Sequence, residues 1–314
     1  MTTTTPSNLP TITLKPPGTP GLSLIEHVNL NVPPAPYPHP DLAFYNERLG
    51  LPLDVRKSMN VKIMGSKTVW VNIGCSQIHL PAGPVGQKLR GTIGLRCLDL
   101  PGFSRRVDVP ITDGYVDLTS PSGQAFRVRE CDPGQDDLLN FRGNMWTADS
   151  NLLPSSDEVH GRLEEDANLV GIDYLEMLVP TGKVGGVLKF YEDVFGCHAR
   201  EIDVGVGVVS VGGVMDDGRS LQSLVFRESG DVEEYDGHHI AVYVAGGEMG
   251  FKDVFERCKQ RGIVWVNERF SDKVEDWEGA KEEKQFRLKN VVDGWTLEHE
   301  VRCKGHKDSR AEVD

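Results

Sequence analysis

The stretch Ile25-Glu26-His27-Val28-Asn29-Leu30-Asn31-Val32-Pro33 decides how the chain is read, because it returns as Ile172-Asp173-Tyr174-Leu175-Glu176-Met177-Leu178-Val179-Pro180. Both stretches alternate polar and apolar side chains and then stop at a proline. A period of two marks a strand with one buried face, and proline ends it because it cannot donate to a ladder. Tyr174 lies 147 residues after His27. A second match has nearly the same offset: Ala43-Phe44-Tyr45-Asn46-Glu47-Arg48-Leu49-Gly50 against Lys189-Phe190-Tyr191-Glu192-Asp193-Val194-Phe195-Gly196. Each reads as a short helix that carries aromatics and is closed by glycine. Two features at one offset make the chain a tandem duplication. The copies cover residues 21–131 and 168–303.

Working outward, residues 1–20 are Thr- and Pro-rich and read as a disordered lead-in. Residues 132–167, rich in Asp, Asn, Ser, Pro and Gly, read as a surface linker, and 304–314 as a charged tail. Within the first copy the pattern predicts strands over 68–73, 76–80, 92–98 and 124–129, with a helical fragment around 101–107. In the second it predicts strands over 207–211, 221–226, 239–244, 263–266, 286–289 and 295–301, with an amphipathic helix over 249–261.

The 314 residues carry a formal net charge of −13. That balance argues against binding to a nucleic-acid backbone or an anionic membrane. No apolar run reaches the roughly 18 residues of a membrane span. The six cysteines are scattered, without a CxxC pair. They fit reduced thiols in a cytoplasmic compartment. No GxSxG nucleophile elbow occurs, and Gly205-Val206-Gly207 and Gly212-Gly213 open no helix with phosphate-loop spacing.

The opening strand at Ile25–Pro33, the Phe44-Tyr45…Leu49-Gly50 helix, Gly237-His238-His239-Ile240-Ala241-Val242-Tyr243-Val244 and Asp293-Gly294-Trp295-Thr296-Leu297-Glu298 together resemble the vicinal oxygen chelate superfamily. Glyoxalase I, extradiol dioxygenases and bleomycin-resistance proteins are its members. The resemblance implies an α+β fold of four βαβββ modules, forming cup-shaped mixed sheets with helices on the convex face. It further implies a divalent metal on a concave face, held by one ligand from the first strand and one from the last strand of each contributing module. On that pattern module one offers His27 and His79, and module four offers His239 and Glu298. Module two offers Thr92 and Phe126, and module three Tyr174 and a residue near Leu224.

Strand parity agrees for the first and last modules. His27, Asn29 and Asn31 share a face opposite Val28, Leu30 and Val32. His239, Ala241 and Tyr243 oppose Ile240, Val242 and Val244, and Thr296, Glu298 and Glu300 oppose Leu297, His299 and Val301. Two pairings stay open. If modules pair one with two and three with four, each cup holds half a site. If they pair one with four and two with three, His27, His79, His239 and Glu298 meet in one cup.

Three imidazoles and one carboxylate suit a single Fe, Mn, Ni, Co or Zn ion. The expected function is a metal-dependent enzyme acting on a small molecule with adjacent oxygens, either a glyoxalase-like isomerase or lyase or a ring-cleaving dioxygenase. Glu298 is the expected catalytic proton shuttle, and Asn29, Gln77 and Tyr243 are expected substrate or outer contacts. The alternative is a metal-free binding protein of the bleomycin-resistance type. No nucleic acid or membrane is expected as partner, and the chain is expected as a monomer or homodimer.

Overall fold

Residues 21–36, 39–54, 57, 68–131, 169–214 and 219–303 are described by a computed structural model. The lead-in at 1–20, the linker at 132–167 and the tail at 304–314 lie outside the described residues. Module one contains β1 (Leu22–Asn29), a helix α1 that runs Pro40–Leu42 and continues as a π-helical stretch over Ala43–Arg48, β2 (Val69–Ile73) and β3 (Ser76–Leu80). Module two contains β4 (Thr92–Cys97), α2 (Leu100–Val107), β5 (Tyr115–Thr119) and β6 (Ala125–Glu130).

Module three contains β7 (Leu169–Pro180), α3 (Val184–Phe190, continuing π-helically over Tyr191–Phe195), β8 (Ala199–Asp203), β9 (Val206–Val214) and β10 (Ser220–Ser229). Module four contains β11 (His239–Val244), α4 (Gly247–Gln260), α5 (Trp277–Glu283), β12 (Gln285–Leu288) and β13 (Glu298–Arg302). The repeated aromatic motif is thus π-helical in both copies. Both times the chain leaves it through a left-handed glycine, Gly50 at φ 74° and Gly196 at φ 68°, a conformation that glycine adopts at little cost.

The strand order settles the pairing. One sheet runs β12-β13-β11-β1-β3-β2 and the other β5-β6-β4-β7-β10-β9-β8. Module one therefore pairs with module four, through antiparallel β1 and β11, and module two with module three, through antiparallel β4 and β7. Each sheet draws strands from both copies.

The apolar faces of both sheets enter one continuous core, and the helices pack on those faces. Phe44 and Tyr45 of α1 meet Phe126 of the other sheet, with centroids 5.7 and 5.8 Å apart. Tyr191 packs 5.3 Å from Phe226 and bonds His299 of the first sheet through its hydroxyl at 2.7 Å. Aromatics from the helix of one module thus clamp the sheet of another, and burying each such side chain contributes about 1.5–3 kcal/mol. No helix among the described residues is long and apolar enough to cross a membrane.

Three local expectations change. The strand expected at 263–266 is a single bridge, Val264 to Leu288, because the chain then turns away to cross the polar face at Asn267–Asp272. The fragment expected at 101–107 is a complete helix, capped by the Asp99 side chain accepting from Gly102 N at 2.8 Å. Phe126 pairs with Ile93 and Thr92 with Ala125, so Phe126 points into the core and does not share a face with Thr92.

Candidate metal centre

The six-stranded sheet lays its polar residues out in rows. Along one row the Cα partners run Asn72, Gln77, His27, Ala241, Glu300 and Arg287. Along the next they run Trp70, His79, Asn29, His239 and Glu298. Neighbouring strands are about 4.8 Å apart, so His27 and Glu300 stand two strands apart with only the Ala241 methyl between them. His239 stands one step along the same strand as Ala241. The three side chains converge over that small residue.

His27 Nε2 and His239 Nε2 lie 3.3 Å apart, and His239 Nε2 lies 3.6 Å from a Glu300 oxygen. One donor atom from each of the three falls within 4.8 Å of the others. Donors about 2.1 Å from a common ion are separated by about 3.0–3.4 Å at right or tetrahedral angles. The His27–His239 and His239–Glu300 separations are close to that range, and the chemistry of the set suits a divalent ion.

Protonation fits as well. Burial lowers the His239 imidazole to about 4, so it is neutral at pH 7, as a metal ligand must be. Burial pushes the Glu300 carboxyl up, but Arg302 and Arg287 outweigh it and hold it well below the usual carboxylate range. Asn29, in the row between His79 and His239, buries its Nδ2 without a hydrogen-bond partner. It therefore offers a donor to whatever occupies this face.

Expected ligands divide between those that join the triad and those that do not. His27 and His239 are brought together. His79 stacks on His27 with centroids 3.8 Å apart, is itself backed by Trp70 at 4.4 Å, and donates from Nε2 to Gln77 at 3.0 Å. Burial beside His27 holds its imidazole well below the ordinary value. Glu298 lies opposite His239 but turns elsewhere. It accepts from Asn267 at 3.0 and 3.1 Å, Arg287 at 2.9 Å and Tyr235 at 3.2 Å. Glu300 is the carboxylate that reaches the imidazoles.

Gln77 is tied to Asp54 and Asn72 at 2.7 and 2.6 Å. Tyr243 is half-buried and lies beside Arg302 on the neighbouring strand. The flanking His238 is buried and bonded to Asp236 at 2.6 Å.

Several contributors escaped the sequence reading. Arg287 donates to Asp272, Glu298 and Glu300 at 2.7, 2.9 and 2.6 Å. Arg302 donates to Glu300 at 2.6 Å and pairs with Glu26 at 3.1 Å. Phe270 lays its ring against Arg287 at 4.1 Å and His239 at 5.3 Å. Arg287 and Arg302 thus tie the carboxylates of Glu26, Asp272, Glu298 and Glu300 into one buried network. The signal for Arg302 was its parity with Glu298 and Glu300. Asn267 and Phe270 gave none, because a covering loop carries no period.

No family model matches the sequence, and no curated protein matches it at a significant level. Solved structures do resemble it. A putative dioxygenase from Bacillus subtilis superposes with a TM-score of 0.54 at 14% identity, covering 91% of this chain and 87% of that one. A glyoxalase I variant from Zea mays gives 0.47 at 13% identity, covering 88% and 92%. A 2,2',3-trihydroxybiphenyl 1,2-dioxygenase from Sphingomonas wittichii gives 0.28 at 13%, covering 92% and 94%. The Bacillus subtilis match carries the comparison, and it is a comparison of folds. The chain shares the fold of that structure, with module one paired to module four and module two to module three.

Proposed function

We propose that this chain is a metal-dependent enzyme whose single centre is shared by its first and last modules, with His27, His239 and Glu300 as protein ligands. The observation that carries the reading is the convergence of these three donors on a buried polar face. A bound dication supplies Lewis acidity and open positions for two adjacent oxygens of a small substrate. Two histidines and one carboxylate form the donor set of non-haem Fe(II) oxygenases. That set favours ring cleavage of a catechol-like substrate over glyoxalase-type isomerisation.

The chain's own residues then have distinct tasks. Asn29 donates its free amide hydrogen to a substrate oxygen. His79, stacked between His27 and Trp70, holds the His27 ring in place. Phe270 and Asn267 cover the face and keep water from it. We assign Glu298, to which Tyr235 donates, the holding or return of a proton, the role expected of it from the sequence. Burial and the Glu298 charge both push the Tyr235 phenol upward, so the hydroxyl keeps its proton and acts as donor.

The copies at 21–131 and 168–303 are read as duplicates that exchanged partners, leaving one site. The six cysteines stand as reduced thiols, in keeping with a cytoplasmic compartment.

One observation favours a second reading. Arg287 and Arg302 already pair with Glu298 and Glu300, so the face can stand as a metal-free binding surface. The deciding experiment is anaerobic incubation of the purified chain with Fe²⁺, Mn²⁺, Ni²⁺, Co²⁺ or Zn²⁺, followed by elemental analysis and assay with catechols and with methylglyoxal–thiol adducts. About one ion per chain, lost in His239→Ala and Glu300→Gln, is the expected result. Catechol binding seen by thermal shift without any retained ion would favour the metal-free protein.

A further inference from the structure

His27 and His239 are not held alike. Behind His239, the Nδ1 atom is buried without a hydrogen-bond partner. Behind His27, Nδ1 is bonded to the carboxylate of Glu26. Adjacent residues of a regular strand face opposite ways, so this contact needs an irregular backbone.

The irregularity is present. Ile25 pairs with Val242 and His27 with Ala241, so the register shifts by one residue at Glu26. Two residues of β1 oppose one of β11, a β-bulge that re-aims the side chain at its centre. The bulge is supported from outside the ladder. Ile25 N donates to Gln222 Oε1 at 2.8 Å, and Ile25 O accepts from Ser76 Oγ at 2.7 Å. Gln222 belongs to the other sheet and also donates to Ile172 O at 3.1 Å. The backbone groups displaced by the bulge are therefore satisfied.

Glu26 also pairs with Arg302 at 3.1 Å, and Arg302 donates to Glu300 at 2.6 Å. An outer arc of two side chains runs from one triad member to another. Resting on the metal reading above, we propose that Glu26 is a positioning residue: it holds His27 as the Nδ1–H tautomer with Nε2 presented to the ion, and through Arg302 it fixes Glu300 relative to that ring.

A neutral imidazole carries one N–H. An acceptor at Nδ1 places the hydrogen there and leaves the Nε2 lone pair facing His239 and Glu300. Outer carboxylates of this kind contribute about 10–100-fold to metal affinity. The bulge is then a device for placing Glu26.

The test uses the full chain and Co²⁺ alone, with affinity read from the d–d absorbance. Glu26→Ala is expected to weaken binding about 10–100-fold, and Glu26→Gln severalfold, since its amide oxygen still accepts from Nδ1 without charge. Long-range ¹H–¹⁵N spectra of the metal-free chain supply a readout independent of loading. His27 is expected as the Nδ1–H tautomer in the wild type and in Glu26→Gln, and as a mixture in Glu26→Ala. If Glu26→Ala does not fold, Glu26→Gln decides the matter, and affinity equal to wild type overturns the proposal. Wild-type binding matched by Glu26→Ala, with the same tautomer, overturns it alone. A wild-type chain that takes up no Co²⁺ overturns the metal reading and this proposal together.

Discussion

The two sheets share one module plan and carry opposite polar faces. On the first, His27, His239, Glu298, Glu300, Arg287 and Arg302 are all buried, beneath the segment that supplies Asn267 and Phe270. On the second, Asp117 and Arg127 pair at 2.7 Å with about half of each side chain in water. Where His27 stands in the first sheet, the second has Tyr174, whose Cα partner is Gly94. A methyl group on Gly94 would come within 2.2 Å of the Tyr174 ring, so the phenol lies flat across the glycine and fills the space a ligand would need. Asp173 is drawn into a pair with Arg96 and Arg129 at 2.6 and 2.7 Å. Equivalent strands become a metal-type face or an ordinary one according to what covers them and which side chain fills the central gap.

The sharpest way to break this contrast is metal content. His239→Ala or Glu300→Gln is expected to abolish stoichiometric binding, while Tyr174→Ala and Arg127→Ala leave it unchanged, as read by elemental analysis after anaerobic loading. A loss on the second face equal to that on the first would end the one-site account.

Charge removal comes next. Arg287→Ala removes one partner from each of three carboxylates at once, and removing one member of a buried pair costs about 3–5 kcal/mol. Arg127→Ala removes an exposed pair, worth about 0–1 kcal/mol. Urea denaturation of the two variants measures the difference directly.

Gly94→Ala tests the filling of the second face. Overpacking of this kind costs about 1–3 kcal/mol, and the double variant with Tyr174→Ala is expected to recover most of that loss in Tm.

The last contrast is in pH. Burial holds His239 at about 4 and His299 at about 3, against about 6.5 for a free imidazole. As pH falls below 6.5 the unfolded chain takes up protons that the folded chain refuses. Each histidine then removes up to about 1.4 kcal/mol of stability per pH unit, down to its folded value. Asp173 works in a lower window. Burial opposes its ionisation, but Arg96 and Arg129 outweigh burial and lower its carboxyl, so its contribution is lost only as pH falls through the carboxylate range. Above the carboxylate range the buried histidines of the first sheet are expected to dominate the pH dependence. Urea midpoints at pH values between about 6.5 and 4 should show a shallower slope in His299→Phe than in the wild type.

Much of the first face could be read from the chain. His27, Asn29, His239, Glu298 and Glu300 were assigned to their faces by parity, and His239–Val244 and Ser76–Leu80 form strands with the expected bounds. The expected carboxylate was Glu298, and the one that lies beside the imidazoles is Glu300. Glu298 and Glu300 have the same parity, and a displacement of two residues leaves every side chain on its face. Only the lateral register, with Ala241 between His27 and Glu300, separates them. Glu26 was hidden for the opposite reason, since a bulge breaks the parity on which the reading relied.

By itself, the sequence determined the duplication, the module plan and the residues that line each face, because a period of two is written locally and needs no knowledge of partners. Tertiary structure alone decided that module one meets module four, that Glu300 and not Glu298 closes on the histidines, and that a loop around Phe270 buries them. The first of these rests on contacts between segments more than 200 residues apart, and no local pattern encodes which distant edge a strand will choose or how far it slides before pairing.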